Sequence, residues 1–212
     1  MVKSDTEAKS LVIPTSEGPI LVEGPVGTEL MASLEFDPGL RAFRPPKRQK
    51  EALLGIIQLE EGRVIIARLG QRLLGYVTFH RPDSFERWSK GPEQLIELGA
   101  IEVSPEFRRF GIARKMLEVS FGDSSMEDYL VVATEYYWHW DLESTGLHVW
   151  EYREMMRQLM SPVGMVIKDT DEEEIASHPA NMLMVRYGSN LKLETILAFE
   201  RILFERPDSN RG

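Results

Sequence analysis

Residues 95–121 read LIELGAIEVSPEFRRFGIARKMLEVSF, and the three parts of this stretch decide the architecture. Up to Val103 the residues are apolar apart from Glu97 and Glu102, which predicts a strand. Pro105 has no N–H for a ladder and fixes its own φ, so the strand ends at Ser104-Pro105-Glu106. From Gly111 the apolar residues Ile112, Ala113, Met116, Leu117 and Phe121 recur at helical spacing, with Arg114, Lys115 and Glu118 opposite them. Arg108, Arg109, Phe110 and Gly111 lie between strand and helix. Amides in a tight turn that opens a helix point outward, and the helix macrodipole adds partial positive charge there. With two arginines beside them, such amides make an anion site suited to a diphosphate.

Around this stretch the chain has 212 residues, a size that predicts one substantial core and one domain. Its composition, 42% hydrophobic and 28% charged, is that of a soluble globular protein. A net charge of −9 argues against general binding to nucleic acid or anionic membranes, which needs a basic excess. With no cysteine, disulfides, thiolate metal sites and a cysteine nucleophile are excluded. His80, His139, His148 and His178 show neither HxxxH nor HExxH spacing, so no metal is expected. There is no run of about 18 apolar residues and no basic-then-apolar leader, which makes the cytoplasm the expected location.

Outward from the central stretch, residues 1–10 and 206–212 read as flexible ends, with the domain over 11–205. A hairpin is predicted over 11–13 and 20–23, a short helix over 28–34 capped by Thr28, and a helix from Pro45-Pro46 to about Leu59. Strands at 63–69 and 73–80 meet at Gly70-Gln71, and a loop over 81–92 holds one helical turn near Trp88. Beyond the helix that ends near Gly122 come a strand at 129–134, an aromatic segment EYYWHW at 135–140 and a helix at 149–160. Strands at 165–168 and 182–186 flank the acidic loop DTDEEE at 169–174, and a last helix over 191–204 has Asn190 in a capping position. The order describes a mixed α/β domain, with the turn at the carboxyl end of the strands, where open sheets hold ligands.

The string from Val103 through Ser104, Pro105, Glu106, Phe107, Arg108, Arg109, Phe110, Gly111 and Ile112 to Ala113 resembles the acetyl-CoA motif of the GNAT N-acetyltransferases. That motif runs Val-x-Pro-x-aromatic-Arg/Gln-x-x-Gly-x-Gly/Ala, and Ala113 stands for the commoner last glycine. The resemblance implies a single-domain GNAT α/β fold, with a mixed sheet splayed around the acetyl-CoA site and flanked by helices. It also implies that acetyl-CoA lays its diphosphate on the amides of Arg108, Arg109, Phe110, Gly111, Ile112 and Ala113. The pantetheine arm would run beside the strand at Ile101 and Val103. Longer strings, RAFRPP at 41–46, ERWS at 86–89, TEYYWHWD at 134–141, VWEYR at 149–153 and SHPAN at 177–181, resemble the acetoin-utilization branch of that family. That likeness covers roughly 15–205 and implies a protein lysine acetyltransferase whose protein substrate is acetyl-CoA synthetase, inactivated by the modification.

Acetyl transfer to an amine needs the amine neutral, and a free lysine ammonium has a pKa of about 10.4. A positioned base removes that proton. Regular alternation along the strand puts Glu97, Gly99, Ile101 and Val103 on one face and Leu98, Ala100 and Glu102 on the other. Aligning Val103 with its GNAT equivalent places Glu97 where several members carry a base; a bulge would shift the phase and bring in Glu102 instead. A strand amide near Ile101 to Val103 is the expected donor to the thioester oxyanion. Where many GNAT enzymes carry an acid tyrosine, four residues before a Gly-aromatic pair, this chain has Met160 ahead of Gly164-Met165. Tyr152 or water remain as alternatives for the acid. Arg41 and Arg44 are read as grips on an acidic protein partner, with pairing to DTDEEE as the alternative. Tyr136, Tyr137, Trp138 and Trp140 are further rim candidates, against simple core packing. Two other readings stay open: a small-amine acetyltransferase using Glu135, Asp141 and 169–174 as an acidic pocket, and a non-catalytic acetyl-CoA-binding regulator.

Overall fold

In the computed structural model, which describes residues 9–204, β1 (Lys9–Ile13) pairs antiparallel with β2 (Ile20–Gly24). Lys9 and Ser10 are thus strand residues, opposite Gly24 and Glu23, and this corrects the flexible segment expected over 1–10. Its remaining residues and the tail at 206–212 lie outside the described ones. The chain continues through α1 (Thr28–Ser33), capped at Gly27 rather than Thr28, and β3 (Glu35–Phe36), a two-residue strand too short to leave a periodic signal. α2 (Pro46–Gln58) begins at the proline pair as expected, because the missing N–H of a proline is unpaired in a first turn anyway. β4 (Arg63–Leu69) and β5 (Arg72–His80) form the predicted hairpin, β3 pairs parallel with β5, and β6 (Leu95–Val103) pairs antiparallel with β5. A 3₁₀ turn over Pro105–Phe110 then leads into α3 (Ile112–Gly122).

By contacts the chain forms two compact units, the first holding the residues up to His80 together with Glu97–Met126. Cross-strand partners share a face of a sheet, so register tells which side chains point together. α1 and α2 cover the face that carries Val64, Ile66 and Tyr76, and Met31, Leu40, Leu53 and Ile57 fill that core. The other face packs against α3: Phe121 meets Phe79 edge-on at 5.6 Å, and Met116 lies against Gly75. The apolar stripe read from sequence is therefore what seats α3, with Ile112, Met116 and Leu117 buried.

The second unit takes Arg81–Ile96 and the chain from Glu127 on. It contains β7 (Leu130–Glu135), α4 (Leu142–Thr145), α5 (Val149–Met160), β8 (Val166–Lys168), α6 (Glu173–Ala176), β9 (Met182–Tyr187) and α7 (Leu193–Glu200). β9 is antiparallel to β7 on one side and to β8 on the other. Trp88, Leu130, Val132, Leu183, Val185 and Phe199 make up its core. Two expectations change here. Part of the acidic run 169–174 opens α6, where Glu172 caps Ile175 N–H at 2.9 Å and Glu173 and Glu174 sit at the favourable positive end of the helix. The last helix is shorter than 191–204 and starts after Lys192, because the Asn190 side chain donates to Asp128 at 2.8 Å rather than capping it.

Candidate active site

The turn after β6 is held by a small polar clamp. Ser104 Oγ donates to Asp37 Oδ1 at 2.7 Å, and Ser104 N–H donates to Leu74 O at 2.8 Å. Asp37 also accepts from Gly39 N–H at 2.8 Å and pairs with Arg72, whose guanidinium lies 5.3 Å from the centre of the buried Phe107 ring. Gly111 then takes φ 68 and ψ 23, a left-handed conformation that costs other L residues about 1 to 2 kcal/mol. Nothing lies within 4 Å of where a Cβ would stand on Gly111, so the space over the start of α3 is open. The first intrahelical bond of α3 runs from Lys115 N–H to Gly111 O at 3.2 Å, and no side chain caps the helix. The amides of Ile112, Ala113 and Arg114 precede that bond and form an uncapped positive end. Of the two arginines, Arg108 Nε donates back to Val103 O at 3.2 Å, which ties the turn to the strand end. Arg109 is 70% exposed, 4.8 Å over the Phe110 ring and 3.7 Å from Glu17. The donor set fits a diphosphate: open amides, a glycine that leaves room, and one exposed arginine at the rim.

The two strand carboxylates are related by an irregularity that alternation alone does not reveal. Register along β5 and β6 pairs Tyr76 with Glu102 and Thr78 with Ala100, then shifts by one residue and pairs Phe79 with Leu98 and His80 with Glu97. Gly99 is the extra residue. A bulge turns every later side chain over, so Glu97, Ala100 and Glu102 share one face, while Leu98, Ile101 and Val103 share the face of α3. This corrects the expected grouping of Glu97 with Gly99, Ile101 and Val103. A Cβ on Gly99 would overlap His80 Nε2, so any larger residue there would displace the His80 imidazole.

Glu102 is 4% exposed, and both its oxygens have partners: Oε1 accepts from Ala42 N–H at 2.7 Å and Oε2 from the Tyr76 hydroxyl. Burial and the adjacent Glu102 charge push the Tyr76 hydroxyl well above its ordinary pKa, so it stays a donor, with Arg44 opposing the shift in part. Glu102 therefore staples β6 to the loop that carries Arg41 and Arg44, both exposed beside the exposed Phe43. Glu97 is 8% exposed and stands across from His80. Tyr76 and His80 were missed from sequence, since their pairing with the carboxylates depends on register. Lys50, the last basic residue of 40–50, donates to Ala32 O and Leu34 O at the end of α1.

In the second unit Met160, at the position of the usual acid tyrosine, is fully buried, and Tyr152 stacks on Trp140 at 5.1 Å. Tyr136 stacks on the half-exposed Trp138 at 4.8 Å. The carboxylates once grouped as an acidic pocket have local partners: Glu135 accepts from Trp140 Nε1 at 2.9 Å, Asp141 caps Ser144 N–H, and Asp171 pairs with Arg87. Burial pushes the Glu135 carboxyl up to about 7. No helix among the described residues is long and apolar enough to cross a membrane.

Comparison with known proteins matches this arrangement. Residues 27–121 match the model of the acetyltransferase (GNAT) family, a span that contains β6, the turn and α3. The chain is 52% identical to the acetoin utilization protein AcuA of Bacillus subtilis over 91% of its length and 92% of the relative, and 51% identical to AcuA of Bacillus licheniformis over the same shares. A crystal structure of the acetoin utilization protein from Exiguobacterium sibiricum, 48% identical, superposes with a TM-score of 0.92 over 96% of this chain and 97% of that one. These matches span both units and describe one α/β domain with a mixed, open sheet flanked by helices. The chain belongs to the GNAT family, alongside the AcuA proteins, and is an acetyl-CoA-dependent acetyltransferase.

Proposed function

We propose that the protein transfers the acetyl group of acetyl-CoA to a lysine of a protein substrate, acetyl-CoA synthetase, in the cytoplasm and within acetoin and acetate metabolism. The observation that carries this reading is the likeness to AcuA along 91% of the chain. In this reading the amides of residues 108–113 bind the diphosphate, and the backbone at Ile101 and Val103 lines the pantetheine arm. Glu97 acts as base. It takes the proton of the lysine ammonium, the freed nitrogen attacks the thioester carbon, and an amide of β6 steadies the oxyanion. As the intermediate collapses to the amide, the nitrogen gives its second proton to solvent and CoA leaves as thiolate. Solvent water protonates the thiolate, since Met160 carries no acidic proton and Tyr152 is stacked on Trp140.

Glu102 is assigned a positioning role. Its oxygens are engaged by Ala42 and Tyr76, and this supports the view that it presents Arg41 and Arg44 to an acidic surface of the partner. The local partners of Glu135, Asp141 and Asp171 speak against a small-amine pocket. The deciding experiment incubates the protein with labelled acetyl-CoA and acetyl-CoA synthetase, then with polyamines and other small amines. Label on one synthetase lysine is expected. Label on small amines alone, or acetyl-CoA binding without transfer, overturns the reading. The double charge swap Arg41→Glu and Arg44→Glu is expected to weaken synthetase acetylation and leave acetyl-CoA binding intact; loss of acetyl-CoA binding would move those arginines to the cofactor site.

A further inference from the structure

A separate cleft of about 210 Å³ lies wholly within the second unit, between α5, β8 and the segment 175–183. It is smaller than the pockets of roughly 300 Å³ and above that take drug-sized ligands. Arg153 of α5 lines it, and the Arg153 Nε is shut off from solvent without any hydrogen-bond partner. A buried guanidinium N–H is costly to leave unpaired. His178 lines the same cleft. Its Nδ1 accepts from Ala180 N–H at 3.1 Å, which leaves Nε2 as the proton-bearing nitrogen and a second donor. Tyr137 packs on the His178 ring at 4.2 Å and Trp150 at 6.4 Å, so the imidazole is held in place.

The other polar groups of the lining are engaged. Lys168 pairs with Glu200 at 2.8 Å, the Thr170 hydroxyl donates to Leu203 O at 2.5 Å, and Asn181 bridges Tyr137 N–H and Glu174 O. Ile175, Met182 and Leu183 supply apolar wall, and the exposed Asp169 stands at the same cleft. Two donors and an apolar wall suit one negative charge on a short apolar body, and the nearby Asp169 carboxylate disfavours a polyanion.

We propose that this cleft binds a small aliphatic monocarboxylate, with its carboxylate on Arg153 and the His178 Nε2–H and its alkyl chain against Ile175, Met182 and Leu183. A guanidinium edge matches the two oxygens of a carboxylate. The site is independent of the acetyl-transfer reading, since none of its residues is assigned to that chemistry.

The test is isothermal titration of the full chain with sodium acetate and sodium butyrate at fixed ionic strength, with sodium phosphate and ethylammonium chloride as controls. Saturable one-site binding of both acids is expected, with butyrate the tighter. Arg153→Gln should weaken it about tenfold or more. That variant removes an unpaired buried donor, so its thermal midpoint should not fall below that of the parent. His178→Phe, which keeps the ring stack and removes the N–H, should weaken binding severalfold while the fold persists. Absence of saturable binding, equal affinity in Arg153→Gln and His178→Phe, or phosphate binding as tightly as butyrate overturns the proposal.

Discussion

The two ends of β6 carry chemically identical side chains in different circumstances. At the carboxyl end Glu102 spends both oxygens on the fold, one on the Ala42 amide and one on the Tyr76 hydroxyl. At the other end Glu97 faces the same side of the sheet, opposite His80, after the bulge at Gly99. A carboxylate whose lone pairs already hold protein donors is a poor proton acceptor for substrate, because accepting a proton costs it those bonds. The difference teaches that burial alone does not mark a catalytic acid or base: both residues are under one-tenth exposed, yet Glu102 is committed to the Ala42 amide and the Tyr76 hydroxyl, while Glu97 stands across from His80.

The sharpest way to break this contrast is to neutralise each end in turn. Glu97→Gln should lower kcat by about 10² to 10⁴ while acetyl-CoA affinity holds, read by steady-state kinetics and titration. Near-normal turnover in that variant, with the loss appearing in Glu102→Gln, would transfer the role of base to the other end. Gly111→Ala probes the turn that both carboxylates precede. A Cβ at φ 68, placed in the open space over the start of α3, should raise the KM for acetyl-CoA about tenfold and leave kcat at saturation nearly unchanged. Tyr76→Phe sharpens the structural end: it leaves one buried Glu102 oxygen unpaired and should cost about 1 to 3 kcal/mol in denaturant unfolding. In the same variant the KM for protein substrate should rise more than kcat falls, because the loop bearing Arg41 and Arg44 loosens.

The smallest effect concerns a half-buried carboxyl, Glu135, whose pKa is raised from 4.5 to about 7. A raised carboxyl pKa means the folded state holds a proton the unfolded chain has released, so stability declines as pH climbs from 4.5 to about 7. Thermal midpoints across that window should fall in the parent and lie flatter in Glu135→Gln. Parallel slopes in the two proteins would show that the Glu135 carboxyl is not raised in the folded state.

Much of this was legible before any coordinates. Pro105, Gly111 and the apolar spacing of Ile112, Met116 and Leu117 describe a strand, a turn and a helix, because proline, positive φ and a helical stripe each act over a few neighbouring residues. β4, β5, β6 and α5 stand close to where alternation and periodicity put them. Short pieces such as β3 and α4 left no signal, since two to four residues span about one period and never repeat it. The last helix was overextended because an asparagine that looks like a cap had a distant partner in Asp128.

By itself, then, the sequence determined the strand–turn–helix that holds the anion site, the absence of cysteine chemistry and the pair of carboxylates competing to be the base. Only the tertiary structure decided which way those carboxylates point and what they touch. One extra residue at Gly99 inverts the phase of the strand, and at that residue a Cβ would meet the His80 imidazole of the neighbouring strand. Side-chain direction in a sheet is a property of the pairing between strands, and no local pattern in either strand contains it.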